Sequence, residues 1–138
     1  MTLAKRATAE ALGTAFLLAT IVGSGIMAQN LAGGNTALAL LANTLATGAA
    51  LVALILTFGS ISGAHFNPVV TLADALEGSI PWRDTPVYVV AQLAGAITGT
   101  LAAHAMFQLP AVSLSPSMHA AAHRKSSANS SRPLACSP

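Results

Sequence analysis

The chain has 138 residues, of which 54% are hydrophobic and only 7% charged, with a formal net charge of +2 and a mean hydropathy of +0.66. Soluble domains carry roughly one-quarter charged residues, so this composition excludes an ordinary soluble fold and points to the lipid bilayer as the chain's surroundings. The charges sit at Lys5, Arg6 and Glu10, between Asp74 and Asp84, and at Arg124, Lys125 and Arg132, so the basic balance belongs to loops and ends and makes no case for nucleic acid.

Taken in order, a first span is expected from about Ala9 to Leu31, with Lys5 and Arg6 ahead of it as cytoplasmic anchors. The basic start and apolar run resemble a signal peptide, but the run continues into further spans without a cleavage context, and we read it as retained. Ala32-Gly33-Gly34-Asn35 is a turn cluster, and Thr36 to Phe58 is a second uncharged run of about the 20 residues a span needs. The segment Gly59-Ser60-Ile61-Ser62-Gly63-Ala64 is too rich in Gly and Ser for a lipid-facing helix. Such backbone survives at membrane depth only where it is buried in protein or lines a cavity.

Asn67-Pro68 then reads as a helix start, because the Asn side chain accepts from free backbone N–H groups and proline at the first helical position wastes no donor. The run to Glu77 holds no breaker and Gly78-Ser79-Ile80-Pro81 is a stop, which predicts a helix over 68–77. At 1.5 Å per residue that is about 15 Å, half the hydrocarbon thickness. A half-helix of this length enters and leaves on one side, placing Glu77, Arg83 and Asp84 in a second cytoplasmic loop. The third span is expected over 85–109, with Trp82 and Tyr88 near its start as interfacial aromatics. The expected fold class is an all-α membrane protein of three transmembrane helices and one re-entrant half-helix, occupying residues 1–110.

Two features leave alternatives open. Gly95 and Gly99 form Gly-xxx-Gly, which allows close backbone approach either across a dimer seam or within one bundle. Glu10 stands alone at the head of an apolar span, either as an interfacial carboxylate or as a buried one bracing the re-entrant loop.

Ser62-Gly63-Ala64-His65-Phe66-Asn67-Pro68-Val69-Val70, lying between a span and a half-helix, resembles the first signature loop of the major intrinsic protein family, the aquaporins and aquaglyceroporins. Ala9-Glu10-Ala11-Leu12-Gly13-Thr14 is similar to that family's opening, and the match extends from Met1 to about Ser115. The chain departs from the usual Asn-Pro-Ala by carrying Val69. The resemblance implies two inverted repeats, each of three spans and a half-helix, whose Asn-Pro tips meet at mid-membrane. Residues 1–110 correspond to the first repeat. It further implies that Asn67 presents its amide to the solute, that Pro68 and Val69 form the tip, and that the carbonyls of Ala64, His65 and Phe66 line the path. Counting back from Asn67 without gaps, the second-span position of the family's constriction falls on Thr47. Water-selective members have a large aromatic there, so Thr47 suggests a wider filter for a polyol or a metalloid hydroxide such as arsenite.

The implied function is a passive channel for water or small neutral solutes, with no covalent chemistry and no cofactor. The family is usually tetrameric, and the expected location is the bacterial inner (plasma) membrane with a cytoplasmic N-terminus. The alternative is a non-conducting membrane fragment, either inert or bound to a full-length channel. His65 is either a pH-sensitive gate or a loop histidine bonding backbone, and His104 reads as a packing or interfacial residue. His119 and His123, four apart, could share a helical face, but no further ligand accompanies them and no metal is expected. Cys136, the one cysteine, excludes an intrachain disulfide.

After Leu109-Pro110 the composition shifts to Ser, Ala, His and Arg, and residues 111–138 read as a disordered, non-native tail. Codons for Ala128 to Pro138, taken from the third base of each and the first two of the next, permit Glu-Phe-Val-Ala-Thr-x-Gly-Leu-Leu-Ala. That string echoes Ala9 to Leu18 at the place where a second repeat would begin. The expectation is therefore a frameshift after about Ser115, which would leave the chain inactive alone.

Overall fold

A computed structural model describes residues 1–109. The tail, with His119, His123, Cys136 and the frameshift expectation, lies outside the described residues. Four helices follow one another: α1 (Leu3–Leu31), α2 (Thr36–Ser62), α3 (Pro68–Leu76) and α4 (Thr85–Met106). Helices α1, α2 and α4 are each long and apolar enough to cross a membrane, and α3 is too short to do so. Helix α1 packs against both α2 and α4, while α3 packs on α4, so α1 is the centre of the bundle.

The starts and stops follow local chemistry. Asn35 caps α2 by accepting from the Leu38 N–H at 3.2 Å, and Asn67 caps α3 by accepting from the Val69 N–H at 2.9 Å, with Pro68 in the first turn. Helix α3 ends before Gly78, whose φ of +79° suits glycine. One expectation is corrected: Gly59 to Ser62 do not interrupt α2 but form its last turn, and the helix ends at Gly63, with φ +96°. Interior Gly and Ser weaken a helix by about 1 kcal/mol or less each, and here Ser62 is buried against α1 and α4, which outweighs that.

The Gly-xxx-Gly of α4 packs within the chain. A Cβ on Gly95 would overlap the Ala11 carbonyl, and one on Gly99 the Ala15 carbonyl, so the two glycines let α4 lie directly on the α1 backbone. By contrast the outward faces of all three long helices carry exposed Leu, Val and Ile, including Leu40, Leu56, Val90 and Ile97, as a lipid-facing surface does. Their cost in water is avoided only in an apolar solvent. At the Lys5 end, Arg6 approaches Asp84 at 3.8 Å and lies over the Tyr88 ring at 5.2 Å, which ties the start of α1 to the α3–α4 loop.

Candidate pore loop and its carboxylate brace

The centre of the bundle is polar. Glu10, Ser62, Thr71 and Gln92, one from each helix, are all buried, and Glu10 and Thr71 are fully so. Of the two alternatives for Glu10, the structure has the buried one. Its Oε1 accepts from Ser62 Oγ at 2.5 Å and from the His65 N–H at 3.1 Å. Its Oε2 accepts from the Phe66 N–H at 2.7 Å and from Gln92 Nε2 at 2.8 Å. Four donors converge on one group that can only accept when ionised, which is how a buried carboxylate is satisfied without a cation.

This brace decides which way the loop faces. The N–H groups of residues 64–66 are all turned inward, Ala64 onto Ser62 Oγ at 3.2 Å and the next two onto Glu10. Ala64 and Phe66 take positive φ, 53° and 50°, a conformation costing about 1 kcal/mol or more per non-glycine residue and held here by those bonds. Among the described residues no donor reaches the carbonyls of Ala64, His65 or Phe66, so the loop offers three unused acceptors on the side away from Glu10. Phe66 is anchored by its ring, buried against Gly13 where a side chain would collide with it, and edge-on to Phe58 at 6.1 Å.

At the tip, Asn67 commits its Oδ1 to the Val69 N–H, and its NH2 group has no partner among the described residues. Val69 beside it is 70% exposed. Behind the tip, Thr71 Oγ accepts from Gln92 Nε2 at 2.8 Å and donates to the Asn67 carbonyl at 3.2 Å, so α4 holds α3 through the same amide that holds Glu10. The His65 ring does not bond backbone as expected: Nδ1 lies 3.1 Å from Thr71 Oγ and Nε2 lies 2.8 Å from Asp74 Oδ2.

Sequence reasoning missed Ser62, Thr71 and Gln92 as bracing groups, and it misassigned Tyr88. That tyrosine is fully buried and donates its hydroxyl to the Ser62 carbonyl at 2.9 Å, closing the end of α2, while Trp82 is exposed as an interfacial aromatic would be. Only Gln92 left a signal, as a polar residue in mid-span. Thr47 is half-buried on α2, and its hydroxyl makes no hydrogen bond to protein among the described residues; it is well removed in sequence from the loop. His104 is half-buried near the end of α4.

The sequence model of the major intrinsic protein family matches residues 1–133. The chain belongs to the major intrinsic protein family. This is a family of transport channels and not of enzymes. Among its curated relatives, the chain is 57% identical over 113 residues to aquaglyceroporin AqpS of Rhizobium meliloti (strain 1021), covering 82% of this chain and 48% of that one. It is 41% identical over 96 residues to a probable aquaporin NIP-type of Nicotiana alata, covering 68% and 34%. Aquaporin NIP1-3 of Oryza sativa subsp. japonica is 39% identical over 104 residues, covering 75% and 35%. The chain thus spans about half the length of the first relative and about a third of the other two. Within the major intrinsic protein family, residues 1–109 have the form of one membrane repeat: three spans, one re-entrant half-helix and a loop with its carbonyls unclaimed.

Proposed function

We propose that this repeat forms one half of a passive path for small neutral solutes, in which the carbonyls of Ala64, His65 and Phe66 replace the solute's water and the NH2 group of Asn67 donates to it. The observation that carries this reading is the division of the loop, with every N–H turned to Ser62 or Glu10 and the carbonyls left open. Carbonyl ladders of this kind conduct by exchanging one set of weak hydrogen bonds for another. The N-terminus of α3 carries about half a positive charge, which at the tip disfavours cations and protons and leaves neutral solutes alone.

Thr47 is the constriction in this reading, and its small side chain admits a polyol such as glycerol or a metalloid hydroxide such as arsenite as well as water. The relative named as an aquaglyceroporin supports the choice of a solute larger than water. Lys5, Arg6 and Arg83 lie at one end of the bundle, and the positive-inside rule makes that end cytoplasmic. A bacterial inner membrane and the family's tetramer complete the proposal.

Residues 1–109 supply one half-helix tip, and a continuous path requires polar groups on both sides of the midplane. The exposed tip at Val69 favours a second reading, a chain inactive by itself that docks on another channel polypeptide. Flux separates the two readings. Vesicles holding the 138-residue chain are compared with vesicles holding a version whose reading frame after Ser115 is restored. In the conducting form, Thr47→Phe is expected to cut glycerol and arsenite flux more than water flux. An equal fall in all three, or none, overturns Thr47 as the constriction. A cation current in either form overturns the half-helix argument.

A further inference from the structure

Lys5 and Arg6 are neighbours on α1, and their side chains leave the helix about 100° apart. Arg6 is engaged within the chain, on the α4 side, where it meets Asp84 and the Tyr88 ring. Lys5 lies where α1 faces α2, and lines a groove of about 400 Å³ together with Ala4, Leu12, Phe58 and Ile61. No residue of α2 is charged, and no carboxylate among the described residues pairs with Lys5. The lysine is thus an exposed cation on a largely apolar groove, and its counter-charge has to come from outside the fold.

The groove changes character with depth. At its mouth stand Lys5 and the first turn of α1, which has no acidic residue and no side-chain cap to offset that positive charge. Leu12 lies about 10 Å further along α1 at 1.5 Å per residue, and Phe58 about one turn deeper than Ile61 along α2, so the walls below the mouth are carbon. Charge above and hydrocarbon below match the two parts of a phospholipid, a phosphate and an acyl chain. A free phosphate ion would use the mouth alone.

We propose that this groove holds one anionic phospholipid, its phosphate paired with Lys5 and one acyl chain laid along Leu12, Phe58 and Ile61. The site needs only that the chain lies in a membrane, and it stands whether or not the pore reading given above is right. A lysine near the end of a span attracts anionic headgroups in general without holding any one of them. The groove turns that attraction into a site, so the charge and the groove are tested separately.

The test is native mass spectrometry of the 138-residue chain released from detergent micelles and titrated with phosphatidylglycerol, with phosphatidylcholine of the same acyl chains, and with inorganic phosphate. Phosphatidylglycerol is expected to saturate at one lipid per chain, about tenfold or more tighter than phosphatidylcholine, and to resist displacement by inorganic phosphate. Lys5→Gln is expected to weaken phosphatidylglycerol binding about tenfold, while Arg83→Gln, which removes an exposed cation at the same end of the bundle, changes it by no more than about twofold. Ala4→Trp, which fills the groove and leaves Lys5 in place, is expected to cost about tenfold as well. Equal losses in Lys5→Gln and Arg83→Gln would make Lys5 one of a diffuse set of charges and overturn the proposal. So would phosphatidylcholine binding as tightly as phosphatidylglycerol, inorganic phosphate displacing the lipid, or binding that Ala4→Trp leaves unchanged.

Discussion

Replacing Glu10 by glutamine tests the brace, because glutamine has the same length and differs only in what it can do with protons. With its oxygen toward Ser62 and His65, the new NH2 group faces the Phe66 N–H and the Gln92 amide. Gln92 can turn its Oε1, a buried atom with no partner, to accept from it, but then loses its own bond to Thr71. The Phe66 N–H keeps no acceptor. With the amide reversed, the His65 N–H is the one left over. Either way one buried backbone donor is stranded, at about 1–3 kcal/mol, and the bonds that survive lose their charge assistance, about 1 kcal/mol each. Removing a desolvated charge offsets part of this, leaving a net loss of about 2–4 kcal/mol. The assay is amide hydrogen exchange of the chain in nanodiscs, read at His65 and Phe66, beside thermal unfolding by circular dichroism. A 2 kcal/mol loss corresponds to roughly 30-fold faster exchange in the loop, with the helices largely retained. Glu10→Asp keeps the charge but withdraws it from its donors, and is expected to be at least as damaging. Exchange at Phe66 within about twofold of the native chain in Glu10→Gln would refute the claim that the carboxylate sets the loop's facing.

Other expectations follow from the packing and the charges. Gly99→Leu drives a side chain into the Ala15 carbonyl and is expected to separate α4 from α1, lowering the unfolding midpoint by an amount matching about 3 kcal/mol; an unchanged midpoint would mean that the two helices are not in backbone contact. Cysteines at the exposed positions Asn30 and Ser79, each introduced with Cys136→Ser, report orientation: a membrane-impermeant thiol reagent on intact cells is expected to label Asn30→Cys and to reach Ser79→Cys only after lysis. The reverse pattern would invert the proposed topology, and labelling of both would deny that α2 crosses the membrane.

How much of this was legible beforehand depends on whether a residue acts on its sequence neighbours or across the bundle. Asn67-Pro68 and Asn35 act locally, so their cap chemistry could be read from adjacent letters, and the helices they start are where that chemistry puts them. Gly59 to Ser62 were misread because propensity sees only the weak helix-forming tendency of Gly and Ser, whereas Ser62 is held by Glu10, 52 residues away, and by Tyr88, 26 away. Tyr88 sits near a span end, where composition alone suggests the interface; only the rotation of α4, set by Gly95 and Gly99 against α1, turns its ring inward. The same rotation brings Gln92, 82 residues from Glu10, onto its carboxylate. A periodic apolar pattern could not have shown this, since α4 is apolar on nearly every face and offers no stripe to say which side is buried.

In the proposed channel, the division of labour in the loop has a consequence for selectivity. Because Glu10 and Ser62 claim the N–H groups of residues 64–66, the surface left for a solute there is backbone carbonyl, and backbone carbonyls are the same whatever side chains the loop carries. The side chains of His65 and Phe66 are turned away, onto Thr71 and Asp74 in one case and toward Gly13 in the other. A substitution in either alters the loop's support, and only indirectly the chemistry it presents. Discrimination by side chain must therefore lie where side chains still face a path. On α2 the half-buried polar candidates sharing a face are Thr47 and, one turn away, Asn43. In the proposed channel the acceptor ladder of the loop is separate from the polar residues of α2, so a substitution at Thr47 would alter solute choice without disturbing the buried carboxylate on which the loop depends.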